Sequence, residues 1–261
     1  MTTDKWTGAK LEAIYQQEFQ VRAYEVGSRG TIKLSSLLDY LQESASQHAS
    51  RLGVSVKNLI AKNLTWVLSR YHVKIFRYPA WGEKVVIRTW PSAKINLFAL
   101  REFEVLNHRE EPIAIATSSW LLIDLRTKQA VRLEDHLPHY ARRSNRAIED
   151  AFEALPEVIH PEIELPFRVR LADLDVNRHV NHVRSIEWAL EAVPSEIWKH
   201  NEPEELEIAF RGEAFYGDQI IARSQRLDPI NHPTFIHQLF RESDQKEIIR
   251  LKSCWKRLSR Q

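Results

Sequence analysis

Residues 19–41, FQVRAYEVGSRGTIKLSSLLDYL, and residues 167–189, FRVRLADLDVNRHVNHVRSIEWA, are two copies of one pattern. Phe19-Gln-Val-Arg22 falls on Phe167-Arg-Val-Arg170, and the alignment runs on without a gap: Ile32 on Val180, Leu38 on Ile186, Tyr40 on Trp188, Glu43 on Glu191. Further along the offset shortens and then holds, so that Trp81-Gly82-Glu83 meets Tyr216-Gly217-Asp218 and Ser118-Ser119-Trp120 meets Ser253-Cys254-Trp255. Landmarks in one order mean a duplicated unit, on the order of a hundred residues long.

Each copy carries the same succession of elements. A short strand, residues 17–24 and then 165–172, leads into a helix. Leu34, Leu37, Leu38 and Leu41 give one apolar face over residues 33–52, and Val180, Val183, Ile186 and Leu190 give one over 180–193, stopped near Pro194. Strands follow in WVLSRYHVKIFRY and GEKVVIRTW, rich in β-branched and aromatic residues. Asn107–Glu111 joins LFALREFEVL to PIAIATSSWLLID as a hairpin, and Ser243–Lys246 joins TFIHQLFRE to EIIRLKSCW. A helix followed by long antiparallel strands predicts α+β architecture: two tandem units, each a curved antiparallel sheet wrapped around a central helix. The expected division is 1–135, a proline-marked linker 136–163 with a charged helix over about 141–154, and 164–261.

Composition narrows the function. A net charge of +2 over 261 residues is too balanced to point to nucleic acid. Eight Trp and ten Phe suit broad apolar surfaces or a lipid-sized cavity, although each alone reads as core. Cys254 is the only cysteine, so no intrachain disulfide can form and a reducing compartment, the cytoplasm, is expected. MTTDKWTGAK lacks the apolar stretch of a signal peptide, and no apolar run reaches membrane-spanning length, so membrane insertion is not expected.

The duplication serves as an internal control. Asp175, Asn177 and His179 alternate, so an extended segment projects all three from one face, beside the N-terminus of the following helix. The first copy has Gly27, Arg29 and Thr31 there, and Tyr78 opposite Glu213. A cluster needed only for folding belongs in both copies, so the set in the second copy reads as chemistry. The bland alternative for Asp175 is a helix cap or Asx-turn, and for Glu213 an exposed strand glutamate. A carboxylate, an amide and an imidazole beside a helix N-terminus can hold a carbonyl and direct water at its carbon.

LADLDVNRHVNHVRSIEWALEAV (171–193) resembles the signature of the plant and bacterial acyl-acyl carrier protein thioesterases, and LTWVLSRYHVKIFRYPAWGEKVVIRTWPS (64–92) resembles the same family. The resemblance spans nearly the whole chain. It implies a double hot-dog fold and hydrolysis of fatty acyl thioesters on an acyl carrier protein. It makes Asp175, Asn177, His179 and, through IAFRGEA (208–214), Glu213 the catalytic residues. No cofactor is expected, and no catalytic metal, because the site has its own base and helix N-terminus. Many plant members have a cysteine after that glutamate; here the position is Ala214, and Cys254 reads as a small buried residue. His182 and Ser185 also depart from the family's pattern, at the pocket entrance.

On this reading His179 or Glu213 activates water, Asn177 positions water or carbonyl, Asp175 orients its neighbours, and helix N–H groups stabilise the oxyanion. The rival readings are a metal hydrolase using Asp175, His179 and His182, an acyl-CoA thioesterase, and a non-catalytic acyl-binding protein. An acidic carrier protein would dock on local basic charge, Arg178 and Arg184 near the mouth or Arg142, Arg143 and Arg146 on the linker helix. Edge pairing of such sheets makes a homodimer an expectation.

Overall fold

The computed structural model describes residues 13–138, 142–228 and 232–258. The elements run β1 (Tyr15–Gln20), α1 (Leu34–Arg51), α2 (Val56–Ile60), β2 (Leu64–Ile75), β3 (Lys84–Ile95), β4 (Phe98–Leu106), β5 (Pro112–Asp124) and α3 (Leu133–His136). Then follow β6 (Ile163–Arg168), α4 (His182–Glu191), α5 (Ser195–His200), β7 (Asn201–Phe210), β8 (Gln219–Asp228), β9 (Thr234–Arg241) and β10 (Glu247–Arg257).

The ten strands among the described residues join one sheet in the order β1-β3-β4-β5-β2-β7-β10-β9-β8-β6. That order reads the same from either end once each strand is replaced by its repeat partner, so a pseudo-twofold passes between β2 and β7. The seam is antiparallel, from Arg70 opposite Ala209 to Lys74 opposite Glu205. Both expected hairpins form, β4 with β5 and β9 with β10. Their turns place Glu110 at φ 59° and Gln245 at φ 58°.

Each helix lies against the sheet of its own unit, α1 on β3 and β1 and α4 on β8, β9 and β10. Leu37, Leu38, Leu41 and Ala45 of α1 are buried, as are Val183, Ile186 and Leu190 of α4, in one core shared by both halves. Helix α1 ends where Gly53 takes φ +72°, with Gly53 N–H bonding Ser50 O and Val54 N–H bonding Ala49 O, the double closure that satisfies final-turn carbonyls. Helix α4 begins at Asn181, whose side chain accepts the Val183 N–H.

The linker departs from expectation. The charged helix does not form: described residues 142–154 contain no helical turn, and Ala141 lies outside the described residues. Long-range partners take up the charges that suggested a helix. Arg146 Nε donates to Glu102 Oε1 at 2.8 Å and Ala147 N–H to Glu102 Oε2 at 3.0 Å, and Glu102 is fully buried. Trp90 Nε1–H donates to Asn145 O, and the Arg250 guanidinium to Leu155 O. Such contacts outweigh local helix propensity, which amounts to a few tenths of a kcal/mol per residue.

The seam itself carries one pin of the linker. His72 Nδ1 lies 2.7 Å from Asp150 Oδ2 and Nε2 lies 2.7 Å from Glu205 Oε1. Burial pulls the imidazole down, but the bonds to Glu205 and Asp150 outweigh it and the net shift is upward. His72 holds Glu205 down to about 2. A raised histidine stabilises fully below its unfolded value near 6.5, and that stability is lost as pH rises through the folded value. The Glu205 contribution is lost progressively as pH falls from its unfolded value near 4.5 through about 2. His72→Gln is expected to cost about 1.5–3 kcal/mol at pH 6 and to flatten the fall in stability between pH 6 and 8. Urea unfolding at both pH values checks this; a variant as pH-dependent as wild type would remove the pin.

Candidate active site

The Asp175–His179 segment is a closed turn rather than an extended run. Leu174 and Val180 form an antiparallel bridge, Asp175 N–H donates to His179 O at 2.8 Å, and Arg178 N–H donates to Asp175 O at 3.0 Å. Arg178 sits at φ +64°, a left-handed conformation that is costly for a side chain with a Cβ. Asp175 Oδ1 accepts the N–H groups of Asn177 at 2.8 Å and His179 at 3.3 Å. The Asx-turn reading of Asp175 therefore holds, and its carboxylate is spent on the backbone of the two residues proposed to act.

The first copy makes the same turn without those side chains. Val26 bridges Ile32, Gly27 N–H donates to Thr31 O, Gly30 N–H donates to Gly27 O, and Gly30 occupies φ +71° where the second copy has Arg178. The turn needs neither carboxylate nor imidazole. The second copy keeps an arginine at a left-handed position where glycine would serve, flanked by the two N–H groups that Asp175 holds.

Glu213 does not lie on a strand. Strand β7 ends at Phe210, and Glu213 belongs to the connection leading to β8. Before it, the Arg211 and Gly212 N–H groups both donate to Ile248 O. A Cβ at Gly212 would stand 2.8 Å from Glu247 O, so only glycine lets the chain approach this closely. After it, Ala214 is buried and its carbonyl accepts Val180 N–H at 2.9 Å. Glu213 is thus fixed from both sides against the turn that carries His179.

The carboxylate meets the imidazole there. His179 Nδ1 lies 3.4 Å from Glu213 Oε1, and the Phe215 ring stands perpendicular to the imidazole at 5.0 Å between centroids. That contact is longer than a good hydrogen bond, a common state of catalytic pairs before a substrate closes the site. With Nδ1 turned to Glu213, Nε2 is the nitrogen left for water or a leaving group. Nothing in the sequence singled out Phe215, since a phenylalanine two residues past a glutamate carries no signal of its own.

Asn177 is exposed, and no hydrogen bond ties its amide to His179 or Glu213 among the described residues. At the helix start, Asn181 takes the Val183 N–H through its side chain and the Arg184 N–H through its carbonyl. The His182 N–H is the first-turn donor with no hydrogen-bond partner among the described residues.

His182 and His179 face different neighbours. His182 packs edge-on to Phe210 at 6.0 Å, and burial pushes its imidazole down to about 4, which keeps it neutral. With Asp175 committed to backbone N–H groups, the geometry does not assemble the Asp175, His179 and His182 ligand set. The histidine–carboxylate trio whose donor atoms do converge among the described residues is His72, Glu205 and Glu207, at the seam. Lys74 and Lys252 already hold Glu205 and Glu207 there, at 3.1 and 2.8 Å.

The basic candidates separate. Arg178 is exposed and carries no ion pair among the described residues, whereas Arg184 is held by Glu187 at 2.6 Å. On the linker Arg146 is taken by buried Glu102 and Arg143 lies 5.0 Å above the Trp90 ring, so the three linker arginines present no common patch. Cys254 lies on β10, half-buried, with burial pushing its thiol up. Cys254→Ser is expected to keep turnover within about twofold of wild type, since a raised thiol supplies little thiolate. A dead variant with unchanged circular dichroism would bring a thiol mechanism back.

A cavity of about 850 Å³ lies not at His179 but at the corresponding place in the other half, against residues 27–35 and one side of α4. The turn geometry and the His179–Glu213 contact, rather than volume, single out the candidate site.

Residues 12–140 match the family model described as the acyl-ACP thioesterase N-terminal domain, and residues 157–257 match that of the C-terminal domain. Oleoyl-acyl carrier protein thioesterase 1 of Arabidopsis thaliana, a chloroplastic protein, is 28% identical over 93% of this chain and 76% of its own length. The chloroplastic palmitoyl-acyl carrier protein thioesterase of Cuphea hookeriana is 27% identical over 93% of this chain, which spans 62% of that protein. Among solved structures, an acyl-ACP thioesterase from Bacteroides thetaiotaomicron superposes with a TM-score of 0.83 at 24% identity, over 95% of this chain and all of that one. The 12:0-ACP thioesterase of Umbellularia californica gives 0.82 at 21%, over 95% and 98%. At those identities the likeness is one of fold, the tandem hot-dog arrangement.

Proposed function

We propose that this chain, which belongs to the acyl-ACP thioesterase family, hydrolyses fatty acyl thioesters of acyl carrier protein to free fatty acid and carrier thiol. The observation that carries the proposal is the His179–Glu213 contact, built into one of two otherwise matching units and followed by a helix whose first N–H, that of His182, has no partner among the described residues.

The reaction proceeds by attack of water on the thioester carbonyl carbon as the His179–Glu213 pair takes its proton. The new C–O bond leaves a tetrahedral oxyanion facing the His182 N–H, a donor worth about 3–4 kcal/mol in the transition state. Asn177 orients water or carbonyl from the rim. The C–S bond then breaks, and the thiolate leaves with the proton that the imidazole had taken. Asp175 positions Asn177 and His179 through their backbone.

Carrier protein, rather than coenzyme A alone, is supported by the surface around the turn. Val176 is 93% exposed, Phe215 and Tyr216 are exposed, and Arg178 stands among them without a carboxylate partner among the described residues. An apolar rim with a free cation suits a partner with an acidic face. Raising salt is therefore expected to slow hydrolysis of an acyl-carrier protein several-fold while leaving the same acyl-CoA nearly unaffected, as screening weakens long-range attraction. Equal salt dependence for both would return acyl-CoA as the substrate. No turnover of either would leave an acyl-binding protein.

A homodimer, if formed at sheet edges, would use β1 or β6, because β2 and β7 already make the central seam within one chain. The reaction belongs in a reducing compartment, the cytoplasm on the sequence reading. No helix among the described residues is long and apolar enough to cross a membrane.

A further inference from the structure

The large cavity occupies the place in the first copy that the His179 turn occupies in the second. Its walls come from the 27–35 turn, from β6 and from α4 between Val183 and Glu191, a run of about 12 Å at the helical rise. Every side chain that would do chemistry is replaced. Gly27 stands for Asp175, Arg29 for Asn177, Thr31 for His179 and Tyr78 for Glu213. Tyr78 is buried, its hydroxyl donates to Pro203 O at 2.8 Å, and burial keeps it protonated.

The replacements reverse the charge of the site while keeping its shape. Two carboxylates have gone, and Arg29 and Lys33 have arrived, Lys33 at the position of Asn181. Arg29 donates to the Trp198 carbonyl and Lys33 to the Tyr24 carbonyl, so each keeps its charge uncompensated. Arg168 on β6 adds a third cation, and none of the three has an ion pair among the described residues. On the acidic side Glu187 is held by Arg184 and Glu202 by Lys256 at 3.5 Å, which leaves Glu191. Inside the cationic rim Ile186, Leu190, Phe167 and Trp198 give an apolar wall. The volume of about 850 Å³ lies within the roughly 300–1,000 Å³ of small-molecule sites.

We infer that this cleft is a second, non-hydrolytic binding site for a long-chain carboxylate, with the alkyl chain along α4 and the carboxylate at Arg29, Lys33 and Arg168. A thioester has no charge at its carbonyl and gains nothing from these cations, whereas a free acid does. The acid released by the proposed hydrolysis is such a ligand. That identification rests on the proposed function; the binding itself does not.

The test is an equilibrium titration of the full chain with dodecanoate and with dodecanol, on wild type and on Lys33→Glu/Arg168→Glu. Both side chains are exposed, and a melting curve verifies the fold of the variant. Wild type is expected to bind dodecanoate at this cleft, whether or not the His179 turn binds it too. The variant should bind it there at least about tenfold more weakly, a change of about 1.4 kcal/mol, with dodecanol binding within twofold of wild type. Unchanged dodecanoate binding in the variant, or equal losses of dodecanoate and dodecanol, would each overturn the proposal. Acyl-carrier protein hydrolysis is assayed in parallel on wild type. Its absence would end the thioesterase reading and leave the titration interpretable.

Discussion

Replacing His179 with alanine is expected to lower kcat by roughly 10²–10⁴, the usual worth of a positioned acid–base group. That corresponds to about 3–5 kcal/mol of transition-state stabilisation. The melting temperature should hardly move. The imidazole is a third exposed, and the turn is closed by backbone bonds that alanine retains, Asp175 N–H to His179 O and Val180 N–H to Ala214 O. Thr31 occupies the same place in the first copy, in a turn of the same form. Single-turnover hydrolysis of an acyl-carrier protein, with circular dichroism on the same sample, checks both halves of the expectation. Wild-type-like turnover would remove His179 from the chemistry. Lost turnover with a lost fold would make the residue structural. Some rate should survive in the variant, because it keeps the His182 N–H proposed as the oxyanion donor.

Much of this arrangement was legible because the chain states its fold twice. Either helix alone is an ordinary amphipathic pattern, and the hairpins are ordinary turns; agreement at constant offset turned them into a duplication. The pseudo-twofold seam between β2 and β7 follows from the same symmetry. The linker was illegible for a physical reason. Arg143, Arg146, Glu149 and Asp150 stand at spacings that suit a helix. Yet Arg146 is claimed by Glu102 and Asp150 by His72, partners 44 and 78 residues away that local spacing cannot reveal.

The site was half legible in the same sense. The residue types were in plain view, but the alternating motif suggested an extended face where the chain closes a turn. The clue lay in the other copy: Gly30 aligns with Arg178, and a glycine there marks a left-handed position. For Glu213 the strand pattern ran past its true end, because the break at Phe210 is caused by the close approach of Gly212 to Glu247. The charge reversal in the first copy was visible as Arg29 and Lys33. Its meaning required the cavity, which no spacing discloses.

Glu213→Gln is the second large effect. Glutamine keeps the volume and stays within reach of the imidazole, but it carries no charge and accepts no proton at neutral pH. A fall in kcat of about 10²-fold or more is expected with KM nearly unchanged, as for an interaction made in the transition state. The double variant with His179→Ala decides how the two residues share the work. At 3.4 Å they are in contact, so their effects should not add. If Glu213 acts by holding and charging the His179 pair, the double variant will be about as slow as His179→Ala alone. If Glu213 is the base that takes the proton from water and His179 serves the leaving thiolate, the losses will approach their product. A Glu213→Gln enzyme as fast as wild type would leave this carboxylate, pinned between Gly212 and Ala214, with no part in the reaction.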